Sequence, residues 1–119
     1  MNLKGKRVLL TGATGGLGQA LATELAKKGA QLALVGRDEA RLNYLKNMLA
    51  KTESSVISII ADLSEDEANI HIAEAAKQQM GGIDILINNA GVLDFTKFEQ
   101  QSDARIAQMI HTNVTAPIQ

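Results

Sequence analysis

The sequence contains few of the residues that would mark several common classes of protein. It has no cysteine, which excludes a disulfide framework and metal sites built on thiolates. Only 3% of its residues are aromatic, its lysines and arginines do not cluster, and its net charge is −1, so nucleic-acid binding is not expected. Residues 1–7 contain no apolar signal core, and no apolar run is long enough to cross a membrane. We therefore expect a cytosolic protein that binds neither membranes nor nucleic acid.

The 119 residues, 45% of them hydrophobic, are enough for one small domain with a core. Short apolar runs alternate four times with stretches of helical periodicity, which predicts a parallel sheet with helices on both faces. Right-handed connections then give the strand order 3-2-1-4, with a ligand crevice where strands 1 and 4 diverge. The predicted strands are 7–12, 31–35, 55–61 and 83–87, and the predicted helices are 16–28, one capped by Asp38, one capped by Ser64 with Glu67 and ending near Met80, and one opened by Ser102.

One short stretch, Thr-Gly-Ala-Thr-Gly-Gly-Leu-Gly at 11–18, carries four glycines within seven residues. It follows the first predicted strand and opens the first predicted helix. Glycines there let the backbone turn tightly and approach a ligand, and the free N–H groups of the helix start face an anion. An ordinary strand-to-helix turn is the alternative, but four glycines after the first strand favour a nucleotide site. No Gly-Lys-Ser or Gly-Lys-Thr follows, which excludes a P-loop.

The residues after the second and third predicted strands indicate which dinucleotide fits. An acidic residue after the second strand would bind a ribose 2′-hydroxyl, but position 36 is Gly and Arg37 follows. A guanidinium can hold a 2′-phosphate, so we expect NADP(H) to be preferred, with NAD(H) still possible. The alternative is that Arg37 is a solvated charge and that Asp38 binds the ribose. Asp62 could accept a hydrogen bond from an adenine amino group, or form a capping turn before Ser64, and both can hold at once.

Asn113 lies on the same face of the last predicted helix as Met109 and Ile110, four and three residues earlier. A buried amide without partners costs about 1–3 kcal/mol, so a partner is expected. Pro117 has no N–H to donate to the Asn113 carbonyl, which leaves that carbonyl free to bind a water. A kinked helix with a hydrated asparagine explains these residues equally well.

No metal site or hydrolytic triad is predicted. His71 and His111 have no second ligand at metal spacing, and the sequence contains neither a nucleophile elbow nor a paired-carboxylate pattern. Both histidines are interpreted as surface or core residues.

Together these residues resemble the short-chain dehydrogenase/reductase family, along the whole chain but over only about the first half of a family domain. Residues 11–18 resemble its Thr-Gly-x-x-x-Gly-x-Gly cofactor motif, and Asn-Asn-Ala-Gly at 88–91 resembles the motif that steadies the central sheet in the classical branch. Asp62 matches the acidic residue that contacts adenine, and Asn113 matches the tetrad asparagine that holds a water in a proton relay. The pair at 36–37 is similar to that of NADP-preferring members.

The resemblance implies one Rossmann-type, doubly wound NAD(P)-binding domain over residues 1–119, incomplete at its end. It also implies an oxidoreductase that transfers hydride between a nicotinamide and a small alcohol or carbonyl substrate. Asn113 is the predicted catalytic residue. The predicted cofactor-binding residues are Thr11, Gly12, Thr14, Gly15, Gly16, Leu17, Gly18, Arg37, Asp62, Leu63, Asn89, Ala90 and Gly91.

The family's serine, and its tyrosine with a lysine four residues later, lie downstream of the tetrad asparagine. This chain ends at Gln119, and its one tyrosine, Tyr44, is followed four residues later by Met48. We therefore expect a truncated form of a longer, homo-oligomeric enzyme, with the fourth strand a bare sheet edge unless a partner covers it. A non-catalytic nucleotide-binding or partner-binding module is the alternative. A methyltransferase of the same topology is disfavoured by the motif at 88–91.

Overall fold

The computed structural model describes residues 2–52, 54–65 and 67–90, and the backbone of 110–112. Strands and helices alternate along most of this chain. Among the helices in these ranges, none is both long and apolar enough to span a bilayer. The elements are β1 Arg7–Thr11, α1 Gly16–Lys27, β2 Gln31–Gly36, α2 Glu39–Leu49, β3 Val56–Ile60, α3 Ala68–Met80, β4 Ile85–Asn88 and β5 Ile110–Thr112.

The strands form one parallel sheet in the order β3-β2-β1-β4-β5. The predicted order 3-2-1-4 is therefore confirmed, and β1 lies at its centre. The chain leaves β1 first toward β2 and β3 and later crosses to β4 on the other side. Because the crossovers diverge at this point, the carboxyl ends of β1 and β4 border a crevice.

Alternate residues of each strand face opposite layers of helices, as a period of two requires. Val8 and Leu10 pack with α1 and α2, whereas Leu9 packs with α3, and all three side chains are fully buried. The predicted helices on both faces are therefore confirmed. The sheet buries a separate apolar core on each face, and these cores hold the strand ends in place.

Local capping chemistry ends or begins several helices where the sequence predicts. Gly29 and Gly81 have φ angles of 81° and 79° at the carboxyl ends of α1 and α3, a conformation that glycine adopts without steric cost. Asp38 begins α2, where its carboxylate accepts a hydrogen bond of 3.2 Å from the Arg41 N–H. These ends set the directions in which the chain returns to the sheet.

The predicted capping box of Ser64 with Glu67 is wrong. Helix α3 begins at Ala68, and its N-cap residue, Glu67, makes no side-chain capping bond. The Ser64 hydroxyl instead donates to the Asp62 carboxylate, 2.6 Å away. A capping serine accepts a hydrogen bond from a backbone N–H in the first turn of its helix, but α3 begins only at Ala68. The Asp62 carboxylate instead lies beside the Ser64 hydroxyl and N–H, so a local turn forms.

The helix predicted from Ser102 onward is wrong at Ile110. Residues 110–112 form β5, which pairs in parallel with β4 and places Ile110 opposite Ile85. An apolar spacing that fits a helix also fits a strand, and β-branched Ile110 and Thr112 favour the extended form beside an edge with unpaired backbone groups. The edge of β4 is thus covered within the chain. Ser102, Met109 and Asn113 lie outside the described residues.

A forked ion pair joins β1 and β4 at the end of the sheet away from the crevice. The Arg7 side chain donates to both carboxylate oxygens of Asp84 at 3.1 and 3.0 Å, and the Arg7 backbone N–H donates to the same carboxylate at 2.8 Å. The Asp84 N–H in turn donates to the Arg7 carbonyl at 2.8 Å. These hydrogen bonds, led by those of the Arg7 side chain, hold the pKa of Asp84 below its ordinary value of 3.8.

Asp84→Asn should lower the free energy of unfolding at pH 7 by about 1–2 kcal/mol, because it removes a charged acceptor of three hydrogen bonds in a half-buried setting. A carboxyl group whose pKa is lowered by folding stabilises the protein above its unfolded pKa, near 3.8, and this contribution disappears as the pH falls through the folded pKa. Urea unfolding of both proteins at pH 7 and pH 3 should therefore show a difference that shrinks in acid.

Glu24→Gln is the matched control, since the Glu24–Lys27 pair is 3.8 Å long with both side chains 64% exposed. It should change the free energy of unfolding by less than about 0.5 kcal/mol at either pH. A difference between wild type and Asp84→Asn that stays constant from pH 7 to pH 3 would contradict the assignment of the effect to the charge.

Candidate functional site

The glycine turn between β1 and α1 is closed by its own hydrogen bonds. Gly12 has a φ of +65°, which a residue with a side chain rarely adopts. The Gly15 N–H donates to the Gly12 carbonyl at 3.4 Å, and the Gln19 side-chain amide donates to the Thr14 carbonyl at 2.8 Å. The turn therefore keeps one shape and leaves its outer rim open.

The glycines of this turn serve different purposes. A Cβ at Gly18 would overlap the Gly12 carbonyl oxygen and lie 2.9 Å from the Ala13 Cα, so Gly18 is required for α1 to pack against the turn. A Cβ at Gly12 would lie 3.1 Å from the Ala90 N. At Gly16 a Cβ would meet no atom of the described chain within 4 Å. The protein's own packing explains Gly12 and Gly18 and leaves Gly16 unexplained.

The amino end of α1 is an open anion site. The Gln19 N–H donates to the Gly15 carbonyl at 2.9 Å, which places Gly16, Leu17 and Gly18 in the first turn, where no carbonyl four residues back is available within the helix. No acidic side chain stands in this turn. The partial positive charge of the helix end therefore faces outward beside the glycine turn.

A buried polar contact joins the carboxyl ends of β1 and β4. The Thr11 hydroxyl donates to the Asn88 side-chain oxygen at 2.7 Å, and the two residues are 0% and 1% exposed. The Ala90 N–H donates to the same hydroxyl at 3.3 Å. Since a buried polar group without a partner costs about 1–3 kcal/mol, each of these groups requires the others.

Asn89 connects the segment after β4 to the glycine turn itself. Its side-chain amide donates to the Gly12 carbonyl at 3.1 Å. Its side-chain oxygen is buried and, within the described part of the chain, accepts no hydrogen bond. The asparagine thus supports the turn from below and keeps a polar acceptor beside it.

A cavity of about 270 Å³ opens beside the glycine turn, at the carboxyl ends of β1, β2 and β3. Backbone from the turn and from Ala90 forms one wall, and the segments that follow β2 and β3 form the other. Its lining, within the described chain, consists of Gly12, Thr14, Gly36, Arg37, Ala61, Asp62, Leu63, Ser64 and Ala90.

Arg37 and Asp38 follow β2 but are placed differently. Arg37 lines the cavity, whereas Asp38 is absent from the lining among the described residues. The Asp38 carboxylate caps α2 through the Arg41 N–H and lies 3.5 Å from the Arg41 Nε. Arg37 is therefore one of the residues that line the cavity, and the neighbouring anion is engaged by its own helix.

Asp62 and Ser64 form a tight turn in the opposite wall. The Ser64 N–H and hydroxyl both donate to the Oδ1 of Asp62, at 3.0 and 2.6 Å. The hydroxyl bond and then the backbone bond from Ser64 lower the pKa of Asp62, and the charge of Arg37 lowers it by less than burial raises it. The turn is present but does not cap α3, and the contact of Asp62 with an adenine amino group stays a prediction.

The structure brings most of the predicted cofactor-binding residues to one edge of the sheet. Gly12, Thr14, Arg37, Asp62, Leu63 and Ala90 line the cavity. Thr11 and Asn89 support its wall from below, and the segment 15–18 forms its rim at the start of α1. Gly91 and Asn113 lie outside the described residues, so their roles stay predictions.

The sequence reasoning missed two polar residues of this site. Asn88 is the buried partner of Thr11, and Ser64 holds the Asp62 carboxylate. The Asp-x-Ser spacing was a usable signal for Ser64, because an aspartate and a serine two residues apart readily form such a turn. Asn88 belongs to the predicted motif at 88–91, but its partner Thr11 could not be predicted, because the two residues lie 77 positions apart.

Comparison with known proteins gives one family. The short chain dehydrogenase model matches residues 6–119. L-rhamnose-1-dehydrogenase of Scheffersomyces stipitis is 33% identical over 116 residues, which cover 94% of this chain and 45% of that enzyme. The chain spans about half, or less, of the length of the curated relatives it matches.

Solved structures agree with the sequence match. L-sorbose reductase from Gluconobacter frateurii, complexed with NADPH and L-sorbose, superposes with a TM-score of 0.72 at 30% identity, over 90% of this chain and 46% of that one. The NADH-dependent reductase A1-R′ complexed with NAD gives a TM-score of 0.69 at 39% identity, over 75% and 37%. With the sheet order, the glycine turn and these matches, the chain belongs to the short-chain dehydrogenase/reductase family, whose members are NAD(P)(H)-dependent oxidoreductases.

Proposed function

We propose that the protein to which this chain belongs is an NADP(H)-dependent oxidoreductase that interconverts an alcohol and a carbonyl compound. The observation that carries the proposal is the cavity that the glycine turn lines together with Arg37 and Asp62, next to the start of α1. Bound there, NADP(H) would supply the nicotinamide carbon that gives or takes the hydride. We further propose a cytosolic homo-oligomer, as the family resemblance implies.

The residues of the cavity fit a dinucleotide phosphate. The amino end of α1 and the bare backbone at Gly16 suit a pyrophosphate, which needs N–H donors and close approach to the main chain. Arg37 stands where a ribose after β2 would carry its 2′-phosphate. Asp62 and Leu63 line the pocket where an adenine base would lie. The pyrophosphate, the 2′-phosphate and the adenine therefore each have a chemically matched group.

The preference for NADP(H) rests on the contrast between two neighbours. Arg37 lines the cavity. Its guanidinium carries five N–H donors, which suit the oxygens of a phosphate. Asp38, the residue that would favour NAD(H), is engaged in capping α2. Among the described residues, no carboxylate that follows β2 is thus directed at the ribose to oppose the charge of Arg37.

In the reaction, the described residues bind and orient the cofactor, and the proton transfer needs further groups. We propose that Asn113 holds a water of the proton relay, as the family resemblance implies. Tyr44, the one tyrosine of the chain, is 68% exposed on α2 and is not among the described residues that line the cavity. Tyr44 is therefore not proposed to exchange the proton with the substrate.

Arg37→Asp should raise the Kd for NADPH about thirtyfold or more, since it replaces charge-assisted hydrogen bonds by repulsion of a phosphate. The Kd for NADH should change less than about threefold, because NADH has no 2′-phosphate. Both constants are measured by fluorescence titration on the protein expressed from its complete reading frame. Lys51→Asp, the same reversal of charge on an exposed residue just after α2, is the control and should leave both constants nearly unchanged. Equal losses for the two cofactors would overturn the NADP(H) preference.

Gly16→Ala and Gly18→Ala should separate cofactor binding from folding. Gly18→Ala should lower the free energy of unfolding by about 1–3 kcal/mol, because its methyl group overlaps the Gly12 carbonyl. Gly16→Ala should leave stability unchanged or slightly raised, yet weaken NADPH at least about tenfold by obstructing the pyrophosphate. Urea unfolding and NADPH titration measure the two effects. Wild-type affinity in Gly16→Ala would contradict the placement of the pyrophosphate.

Asn113→Leu should lower kcat about a hundredfold while changing the Kd for NADPH less than about threefold, since it removes a proton-relay group and no cofactor contact. The measurement is steady-state turnover of an alcohol or carbonyl substrate found by screening the protein from its complete reading frame. A loss of NADPH affinity without a loss of kcat would place Asn113 in the cofactor site instead.

A further inference from the structure

We propose that Ser64 is the positioning residue for Asp62 and reserves the Asp62 Oδ2 for an amino group on the purine base of the cofactor. The proposal rests on the NADP(H) function proposed above and extends it to discrimination between purine bases. It gives Ser64 a role in specificity rather than in helix capping.

The geometry around the carboxylate is asymmetric. Both donors of Ser64, its hydroxyl and its backbone N–H, converge on the Oδ1 of Asp62. The Oδ2 accepts no hydrogen bond from any residue that the structure describes. The turn itself is closed by the Glu65 N–H, which donates to the Asp62 carbonyl at 3.0 Å. Rotation of the carboxylate would break two hydrogen bonds, so the free oxygen keeps its direction.

The free oxygen belongs to a group that lines the cavity. Asp62, Leu63 and Ser64 are consecutive lining residues, opposite Gly36 and Arg37. The hydroxyl of Ser64 and the charge of Arg37 lower the pKa of Asp62, so the carboxylate is ionised at neutral pH and only accepts hydrogen bonds. It therefore selects a ligand that presents an N–H at this point.

Adenine and hypoxanthine differ in this respect. Adenine carries a 6-amino group, which donates, whereas hypoxanthine carries a 6-oxo group, which accepts and would face a negative charge. An oriented carboxylate favours the first and opposes the second. A carboxylate free to rotate or to be fully hydrated discriminates less, because it loses the preformed direction of its acceptor.

A purely structural role for Ser64 fits the helix less well. Helix α3 begins four residues later at Ala68, and its N-cap residue is Glu67, which has no side-chain capping bond. The Ser64 hydroxyl donates to Asp62, and among the described residues it accepts no hydrogen bond from an N–H of the helix. The contact therefore acts on the carboxylate, and the start of the helix does not depend on it.

The test compares equilibrium binding of NADPH with that of its deamino analogue, reduced nicotinamide hypoxanthine dinucleotide phosphate. Both are titrated by nicotinamide fluorescence into the protein expressed from its complete reading frame. Wild type should bind NADPH about tenfold more tightly than the analogue, the effect of about one charge-assisted hydrogen bond. In Ser64→Ala the ratio should fall to about threefold or less, mainly through weaker NADPH binding. Ser64→Thr, which keeps the hydroxyl, should restore it.

Two further variants serve as controls for this interpretation. Ser55→Ala removes an exposed serine hydroxyl for which the described structure shows no hydrogen bond, and it should leave the ratio at its wild-type value. Asp62→Asn can present either an acceptor or a donor to the base, so it should bring the ratio close to one even if Ser64→Ala folds poorly.

The outcomes separate this inference from the proposed function. A wild type that binds NADPH without preferring it over the analogue overturns the inference alone. Equal weakening of both ligands in Ser64→Ala also overturns it, because that pattern is the one a structural role produces. A wild type that binds neither dinucleotide overturns the proposed function itself. A ratio that falls in Ser64→Ala and returns in Ser64→Thr supports the inference.

Discussion

The buried hydrogen bond from the Thr11 hydroxyl to the Asn88 amide oxygen is the contact on which the candidate site depends. It joins β1 and β4 at the point where the crossovers of the chain run in opposite directions. Both groups are buried, so breaking this hydrogen bond costs free energy. Asn89 then supports the Gly12 carbonyl, and Ala90 donates to the Thr11 hydroxyl. The glycine turn is consequently held from outside as well as by its own bonds. The outer surface of the turn can stay open because its shape is maintained by groups beneath it.

The glycines of this turn fall into two groups, those that the protein's own packing requires and those that this packing does not explain. Gly12 and Gly18 are explained by contacts within the protein, since a side chain at either would meet backbone atoms. Gly16 and the N–H groups of the first turn of α1 have no such explanation in the described chain, and the proposed pyrophosphate would supply one. The same division holds across the cavity, where Asp38 serves its helix and Arg37 faces the open space.

Features governed by near neighbours in the chain could be predicted from the sequence. The strand order, the helix ends at Gly29 and Gly81 and the cap at Asp38 follow from local residue chemistry and from the alternation of elements. The strand at 110–112 could not, because it depends on an unpaired edge formed by distant residues and its apolar spacing also suits a helix. The contact between Thr11 and Asn88 was hidden for the same reason. For the site, six of the predicted cofactor-binding residues line one cavity. Gly91 and Asn113 lie outside the described residues.

The pairing of β1 with β4 restricts where this protein can gain or lose residues in evolution. The Arg7–Asp84 fork, the Thr11–Asn88 bond and the Asn89–Gly12 bond all join residues 77 positions apart, the same offset that relates Val8 to Ile85 in the ladder. A residue inserted within either strand would break this shared offset and turn the side chains beyond it toward the opposite core. An insertion between the strands, as in the turn after α2, lengthens the offset equally for every pair. Length variation among relatives should therefore collect in the connecting segments and avoid both strands.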